Sequence, residues 1–496
     1  MTRHVELRPG AYADSVTLLQ VSRDVQRLPG VLAAQVAMGT ALNLDVLAQM
    51  GFDIPASATT NDLVLAVRAQ DQEALASALS GIDRLLAAPG GRPDGGHDLA
   101  PPRTTASALA SVGGDDALVL VSVPGEYAAL EAMDALDAGR DVMIFSDNVP
   151  LEQEVTLKQV AAERGLLVMG PDCGTAVVGG VGLGFANAVS PGRVGIVAAS
   201  GTGCQQVLCL LDHAGVGVST AYGVGGRDLS AAVAGRSTRT ALARLDADPG
   251  VELILVVSKP PAASVAADVR AWAEDLATPV EFAILGAGLP DLTAATEAVL
   301  DRLGVSVPDW PVRRGPAVVG PVETGPLLRG LFVGGTLCDE AMLIASASLG
   351  PIRSNIPLAA ELALGNDLRA DDHLMIDFGD DALTAGRAHP MIDSTLRLEH
   401  LARVASDPLT GVILMDVVLG HGAEADPATA LAAALHAVSQ PVVITVVGTD
   451  LDPQGREDQV AALVAAGAEV HLSNAAATRR ALEILHSTPG STRTRP

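Results

Sequence analysis

Six small aliphatic residues, Val194-Gly-Ile-Val-Ala-Ala199, run into Ser200-Gly201-Thr202-Gly203, and the chain continues as a helical stretch, Cys204–Ala214. A run this short and this continuously apolar suits a strand buried on both faces. Buried strands that turn directly into helices belong to parallel sheets, where every connection is a crossover. The plan recurs where a strand meets Gly334-Gly335, and again where Val412–Met415 leads through Gly420 to Asp426-Pro427. The apolar fraction of 49% is carried by Ala, Val and Leu, with 2% aromatics and 51 glycines. That is the material of α/β sheets, and 496 residues exceed a single core.

The expected fold is therefore multidomain α/β. Residues 1–88 alternate short strands and helices as a small N-terminal α+β unit. Pro89-Gly90-Gly91-Arg92-Pro93-Asp94-Gly95-Gly96 opens a linker over 89–103. Residues 104–169 carry a plain βαβ rhythm and read as a Rossmann-like domain. Gly170-Pro171-Asp172-Cys173-Gly174 breaks that rhythm. Two flavodoxin-like domains follow at 170–303 and 330–488, separated by a Pro-rich joint at 304–329 and ended by a tail at 489–496.

A formal charge of −26 excludes nucleic acid as a partner, because phosphate backbones are gripped by Lys and Arg clusters. An anionic substrate must then be held locally, against the overall field. Cys173, Cys204, Cys209 and Cys338 form no CxxC pair, so neither a zinc site nor a disulfide frame is expected. The first residues lack an apolar signal region, and no stretch approaches eighteen apolar residues. The expectation is a cytoplasmic protein with no membrane span.

Four motifs bear on chemistry. At Ser200, Gly201, Thr202 and Gly203 the helix start offers free N–H groups and the positive end of its dipole to an anion. An N-cap by Ser200 or Thr202 accounts for one hydroxyl but leaves both glycines without a purpose. The turn lacks GxxxxGK[ST] and is not a P-loop. Gly225-Gly226-Arg227-Asp228 places a guanidinium beside flexible backbone, suited to clamping carboxylate or phosphate, or else simply pairing with Asp228. Asp377, Asp380 and Asp381 could take Mg²⁺ or only cap a turn. Beyond them, Arg387 offers an anion partner and His389 a proton donor, against a histidine satisfied by a carbonyl. Gly420-His421-Gly422 precedes a second helix start; His421 is a candidate nucleophile or phosphate partner, or an exposed loop residue.

Val123-Pro124-Gly125, Gly170-Pro171-Asp172-Cys173-Gly174 and Ser200-Gly201-Thr202 stand in an order that resembles the α subunit of succinyl-CoA synthetase. Met375–Asp377 through Gly422 is similar to the C-terminal domain of its β subunit. Within that superfamily the chain is identified as a member of the FdrA-type proteins, on ELRPGAYADSV, VSKPP, GGTLCDEA and DFGDD…GRAHPMID. The resemblance implies a CoA-binding-type domain at 104–169 and synthetase-type ligase domains after it. Two departures matter. The segment after Leu285-Gly286-Ala287-Gly288 continues as Leu289-Pro290-Asp291, without the histidine that carries phosphate in the synthetase. Neither the glycine-rich CoA loop nor an ATP-grasp domain is evident.

The resemblance therefore implies a subunit of oxamate carbamoyltransferase in allantoin and purine breakdown, taking oxalurate and phosphate to oxamate and carbamoyl phosphate. Phosphate would lie between the helix starts at Ser200–Gly203 and Gly420–Asp426, with Arg227 or Arg387 on the substrate carboxylate. The implied catalytic residues are Arg227, His389 and His421. Ser200, Gly201, Thr202, Gly203, Gly225, Gly226, Arg387, Gly420 and Gly422 are the binding set, with no metal and no certain cofactor. CoA or ATP enters only under the alternative of an acyl-CoA synthetase completed by an ATP-binding partner. A non-catalytic scaffold subunit is the third reading. An oligomer with other subunits of such a complex is expected.

Overall fold

The computed structural model describes residues 2–13, 15–55, 57–87, 102, 104–112, 117–315, 325–384 and 387–487. The run Pro89–Gly96, the joint residues Pro316 and Pro321, Gly386, and the tail with Arg493 and Arg495 lie outside the described residues. Two compact units are formed: Met1–Ala108 with Thr384–Asp393, and Leu109–Leu383 with Ser394–Pro496.

The first unit contains β1 (Thr2–Pro9), α1 (Ser15–Gln26), β2 (Val31–Met38), α2 (Ala41–Gln49), β3 (Asp62–Ala69) and α3 (Gln72–Ala87). β3 lies between β1 and β2, antiparallel to both. Its nearly unbroken apolar sequence follows from burial on both faces, since alternate side chains point opposite ways. Leu63, Leu65 and Val67 pack with Leu18, Val25, Leu75 and Ile82 of α1 and α3. Val64 and Ala66 pack with Leu47 of α2 and Phe52. In the same unit Arg23 donates to the carbonyl of Ile392 at 2.6 Å.

A short helix, α4 (Thr105–Leu109), precedes three wound layers in the second unit. β4 (Val119–Val121), α5 (Gly125–Asp137), β5 (Val142–Ile144), α6 (Leu151–Glu163) and β6 (Val168–Met169) build a small parallel sheet, ordered β4-β5-β6. An antiparallel hairpin follows, β7 (Thr175–Val178) and β8 (Val181–Gly184).

Then come β9 (Val194–Ala199), α7 (Gly201–His213), β10 (Val218–Gly223), α8 (Arg236–Asp246), β11 (Leu253–Ser258), α9 (Ala263–Ala273), β12 (Val280–Ile284) and α10 (Leu292–Arg302). Their sheet is ordered β12-β11-β9-β10-β7-β8. The remaining chain forms β13 (Val312–Arg314), β14 (Leu327–Phe332), α11 (Gly335–Leu349), β15 (Arg353–Ser354), β16 (Leu374–Asp377), α12 (Asp381–Thr384), α13 (Thr395–Ser406), β17 (Thr410–Val418), α14 (Pro427–Leu435), β18 (Val442–Val447), α15 (Arg456–Ala465), β19 (Glu469–His471) and α16 (Asn474–Ser487). Its sheet is ordered β13-β19-β18-β17-β14-β16-β15.

Both large sheets have a flavodoxin-like winding that starts from an inner strand: β9 lies between β10 and β11, and β14 lies between β16 and β17. The winding reverses between β9 and β11 in one sheet and between β14 and β17 in the other. Ligands of such sheets sit outside the carboxyl ends at these reversals. β17 and β18 are buried throughout, as their unbroken apolar runs require. α7 is buried from Gly203 to Leu211. Gln206 on it donates to Leu472 O and accepts from Asn474 N, which ties α7 to the second sheet. Among the described residues no helix is long and apolar enough to cross a membrane, and Cys173, Cys204, Cys209 and Cys338 are buried free thiols.

Candidate functional site

At the carboxyl end of β9, Ser200 is extended and caps α7, its Oγ accepting from Gly203 N at 3.0 Å. A methyl group at Gly203 would stand 2.4 Å from that Oγ, so only glycine lets the cap close. The cap uses the third N–H of the helix. Those of Gly201 and Thr202 have no intrahelical acceptor, as in any helix start. Thr175 of β7 faces this turn: its Oγ1 is buried, has no hydrogen-bond partner, and lies 3.6 Å from the Cβ position of Gly201.

The helix start that meets α7 is that of α11. Thr336 Oγ1 lies 2.7 Å from Ser200 Oγ, and Gly334 packs on Thr202. Gly334 supplies no side-chain cap to α11. Its backbone is fixed from below by Asp416 of β17, which accepts from Val333 N at 2.8 Å and Gly334 N at 2.9 Å. Asp416 is buried with Arg397 at 3.2 Å, and burial raises its carboxyl to about 6 despite that partner.

Around Gly335 the surroundings become ionic. A methyl there would stand 2.6 Å from Asp377 Oδ2 and 3.0 Å from Lys259 Nζ. Lys259 follows β11 and is 3.8 Å from Asp339 Oδ2 in the first turns of α11. Burial pulls the Lys259 ammonium down, but Asp339, Asp377 and Asp172 outweigh it and leave it raised. The carboxyls shift upward as well: Asp377 and Asp172 to about 7, Asp339 to about 6, in each case chiefly by desolvation. Asp172 is exposed and takes a φ of +56°. Among the described residues no three His, Cys, Asp or Glu side chains converge as metal ligands. Asp377 Oδ1 instead accepts from Gly379 N, and Asp380 Oδ1 from Ala382 N.

The other residues singled out in the sequence are distributed as follows. Arg227 is held by Glu154 Oε2 at 2.8 Å and by Val149 O at 2.8 Å, so its fork is divided between α6 and the loop before it. Asp228 does not pair with it. That carboxylate is buried, takes Lys158 Nζ at 2.8 Å, and caps α8 through Thr238 N at 3.0 Å. Gly225 packs against Pro171 O, and Gly226 is open apart from Asp172.

Gly420 and Gly422 take φ of +118° and +77°, and His421 between them is exposed. This turn sits on residues 182–187: His421 N donates to Ala186 O at 2.8 Å, and Gly422 rests on Gly184 O. Gly184 pairs with Thr175 across the hairpin, so the turn lies one hairpin strand away from the start of α7. The helix beyond it, α14, is closed by its own cap, Asp426 accepting from Thr429 N and Thr429 Oγ1. Arg387 and His389 belong to the first compact unit. Arg387 is exposed; desolvation lowers His389 to about 4, and its Nδ1 accepts from Met391 N. A histidine so placed is neutral at pH 7.

Thr175, Thr336, Asp339 and Lys259 were not singled out in the sequence as site residues. Lys259 had a readable signal, a charged residue directly after a buried strand. Thr336 and Asp339 lie in GGTLCDEA, which carries the family resemblance but no evident chemistry, because their meaning lies in contacts across the two sheets.

Residues 1–101 match the family described as AllF, heavy metal-associated domain, and residues 331–484 match the CoA-ligase family. The chain is 38% identical over 498 residues to the uncharacterized protein YahF of Escherichia coli, covering 94% of this chain and 95% of that one. It is 27% identical to the malate–CoA ligase α subunit of Methylorubrum extorquens, over 32% of this chain and 53% of that one. It is 29% identical to a succinate–CoA ligase α subunit of Trichomonas vaginalis, over 28% and 46%. The match thus spans about half of each ligase subunit. A dinucleotide-forming acetyl-coenzyme A synthetase of Ca. Korarchaeum cryptofilum aligns over 80% of this chain and 86% of its own, at 16% identity and a TM-score of 0.30.

Two groups implied by these families fit poorly. Residues 1–101 contain no cysteine, and His4 faces Glu6 at 3.4 Å, so the thiolates that soft metals prefer are missing. At the first βα turn of the small sheet, the space beside Gly125 is filled by the Asp147 carbonyl, 2.2 Å from a Cβ there. Glu126 adds an acidic side chain in the first turn of α5. That acidic side chain opposes a coenzyme A pyrophosphate at the turn.

Proposed function

Because the chain belongs to the family of YahF, within the succinyl-CoA-synthetase-like superfamily, we propose that it is a subunit of a carbamoyl-transferring enzyme that binds phosphate at the facing starts of α7 and α11. The observation that carries this reading is the 2.7 Å contact between Ser200 and Thr336 at two glycine-flanked helix starts, each at the carboxyl edge of a wound sheet. Two positive helix ends suit a multiply charged oxyanion. They also need no phosphohistidine, which the segment Leu285–Asp291 does not offer.

In the proposed reaction a phosphate oxygen attacks the carbamoyl carbon of oxalurate. A C–O bond forms, the C–N bond to oxamate breaks, and the departing amide nitrogen takes up the proton lost by the attacking phosphate hydroxyl. Backbone N–H groups at Gly201 and Thr202 would hold the phosphate in place while charge develops at the carbonyl. The AllF-type N-terminal domain supports a place in allantoin breakdown. The ligase relatives are named as α subunits, which supports partner subunits here.

Those names also favour a second reading, an acyl-CoA ligase whose partner supplies ATP binding. Incubating the assembled complex with oxalurate and inorganic phosphate separates the two. Carbamoyl phosphate formed without ATP or CoA is the expected result. Transfer of label from ATP to His421 or His389, or an absolute need for CoA, would sink the carbamoyl reading.

A further inference from the structure

Lysine is nearly absent from this chain. Of 32 basic residues only Lys158 and Lys259 are lysines, and arginine serves at every other position. Lys158 has an evident structural task. It is fully buried and bridges Glu154 Oε1, Asp228 Oδ1 and Val224 O, each at 2.8 Å.

Lys259 has no such set of partners. Its nearest carboxylate oxygen, on Asp339, is 3.8 Å away, beyond hydrogen-bond length. The side chain is 39% exposed. In the parallel register Ser258 pairs with Ala199, which sets Lys259 beside Ser200 at the point where the winding reverses. From there Nζ reaches to 3.0 Å from the Cβ position of Gly335. One short cationic side chain thus stands at the junction of both helix starts. A compact ammonium with rotatable donors suits that junction.

We propose that Lys259 is a phosphate-binding residue, its ammonium completing an oxyanion pocket between the starts of α7 and α11. This rests on the reading that the site takes phosphate. The buried, unpartnered hydroxyl of Thr175 against Gly201 is independent evidence that the α7 turn is built for a further polar group. The neighbouring carboxyls do not forbid an anion. Asp377 and Asp339, buried and raised by desolvation to about 7 and about 6, carry less than two full charges near neutrality. Asp339, at 3.8 Å, holds the ammonium without consuming its donors.

Titration of the full-length protein with inorganic phosphate, by calorimetry or ³¹P line broadening, tests the assignment. Lys259→Met is expected to weaken phosphate binding about tenfold or more, the worth of a charge-assisted hydrogen bond. Lys259→Arg keeps the charge and should recover part of that loss. Asp339→Asn removes the competing carboxylate and should bind phosphate at least as tightly as the native chain. Circular dichroism of each variant confirms that it is folded.

Unchanged affinity in folded Lys259→Met overturns the lysine assignment and leaves the phosphate site standing. Weakened binding in Asp339→Asn also overturns it, since the effect would then follow disturbance of the cluster. Failure of the native protein to bind phosphate removes both the lysine assignment and the functional reading beneath it.

Discussion

Gly203→Ala separates the steric argument at the α7 turn from any argument about ligands. The added methyl would meet Ser200 Oγ at 2.4 Å, Thr336 Cγ2 at 3.0 Å and Val257 Cγ1 at 3.2 Å. Two of these are buried side chains of the opposing helix and the central sheet, so the serine must yield first. Losing the cap costs about 1 kcal/mol. Pressing a methylene-sized group into a packed core costs about 1–3 kcal/mol more. Replacing glycine inside a helix returns about 0.4–1 kcal/mol. The balance is about 2 kcal/mol of destabilisation, which for a unit as large as the second lowers the melting midpoint by about 2–3 °C. Gly201→Ala is the control two residues away. Its methyl meets nothing closer than Thr175 Oγ1 at 3.6 Å, an ordinary contact. That variant should melt at or slightly above the native midpoint, yet lose phosphate affinity, because the methyl fills the space that the unpaired hydroxyl faces. Differential scanning calorimetry of the three proteins decides the matter. If Gly203→Ala melts with the native protein, the close packing of the two helix starts is refuted.

Lys158→Met should cost about 3–5 kcal/mol in urea unfolding, because Glu154 and Asp228 are left as buried, uncompensated charges. Asp416→Ala should be comparably damaging, since it strands Arg397 and leaves Val333 N and Gly334 N without acceptors; Asp416→Asn should be milder. The raised carboxyls make stability fall with pH. Asp377 and Glu340 sit at about 7 and Asp339 at about 6 when folded, above their unfolded values, so the folded state binds the extra protons. The stability they contribute is full below the unfolded carboxylate range and is lost as pH rises through about 6–7. Urea midpoints measured at pH 5.5, 6.5 and 7.5 should decline, and less steeply in Asp377→Asn. An identical slope in that variant would remove Asp377 from the account.

What could be read from the sequence divides along a physical line. Wherever the information is local, the reading needs only periodicity and turn chemistry. Val194–Ala199, Thr410–Val418 and Val442–Val447 announce buried parallel strands because both faces are covered. Ser200 and Asp426 announce helix starts because each caps the N–H three residues on. The choice between helix starts is not local. Gly420-His421-Gly422 attracts notice because histidine between glycines looks reactive, whereas Gly334-Gly335-Thr336 offers no side chain of obvious chemistry. Yet Thr336, 136 residues from Ser200 in sequence, is the residue that touches it.

Arg227 shows the same limit from the other side. Its sequence neighbour Asp228 suggests a pair, but α6 supplies Glu154 for the arginine and Lys158 for the aspartate. One helix thus joins arginine and aspartate through a chain, Arg227–Glu154–Lys158–Asp228, in place of a direct pair, with consequences for function. Glu154 and the Val149 carbonyl already orient the guanidinium, so a substrate carboxylate reaching Arg227 must share it. Lys259, at the reversal of the sheet and without a bonded partner within 3.5 Å, has its donors available. For an anion entering an acidic protein, the cation that has not been spent on the fold decides where it binds.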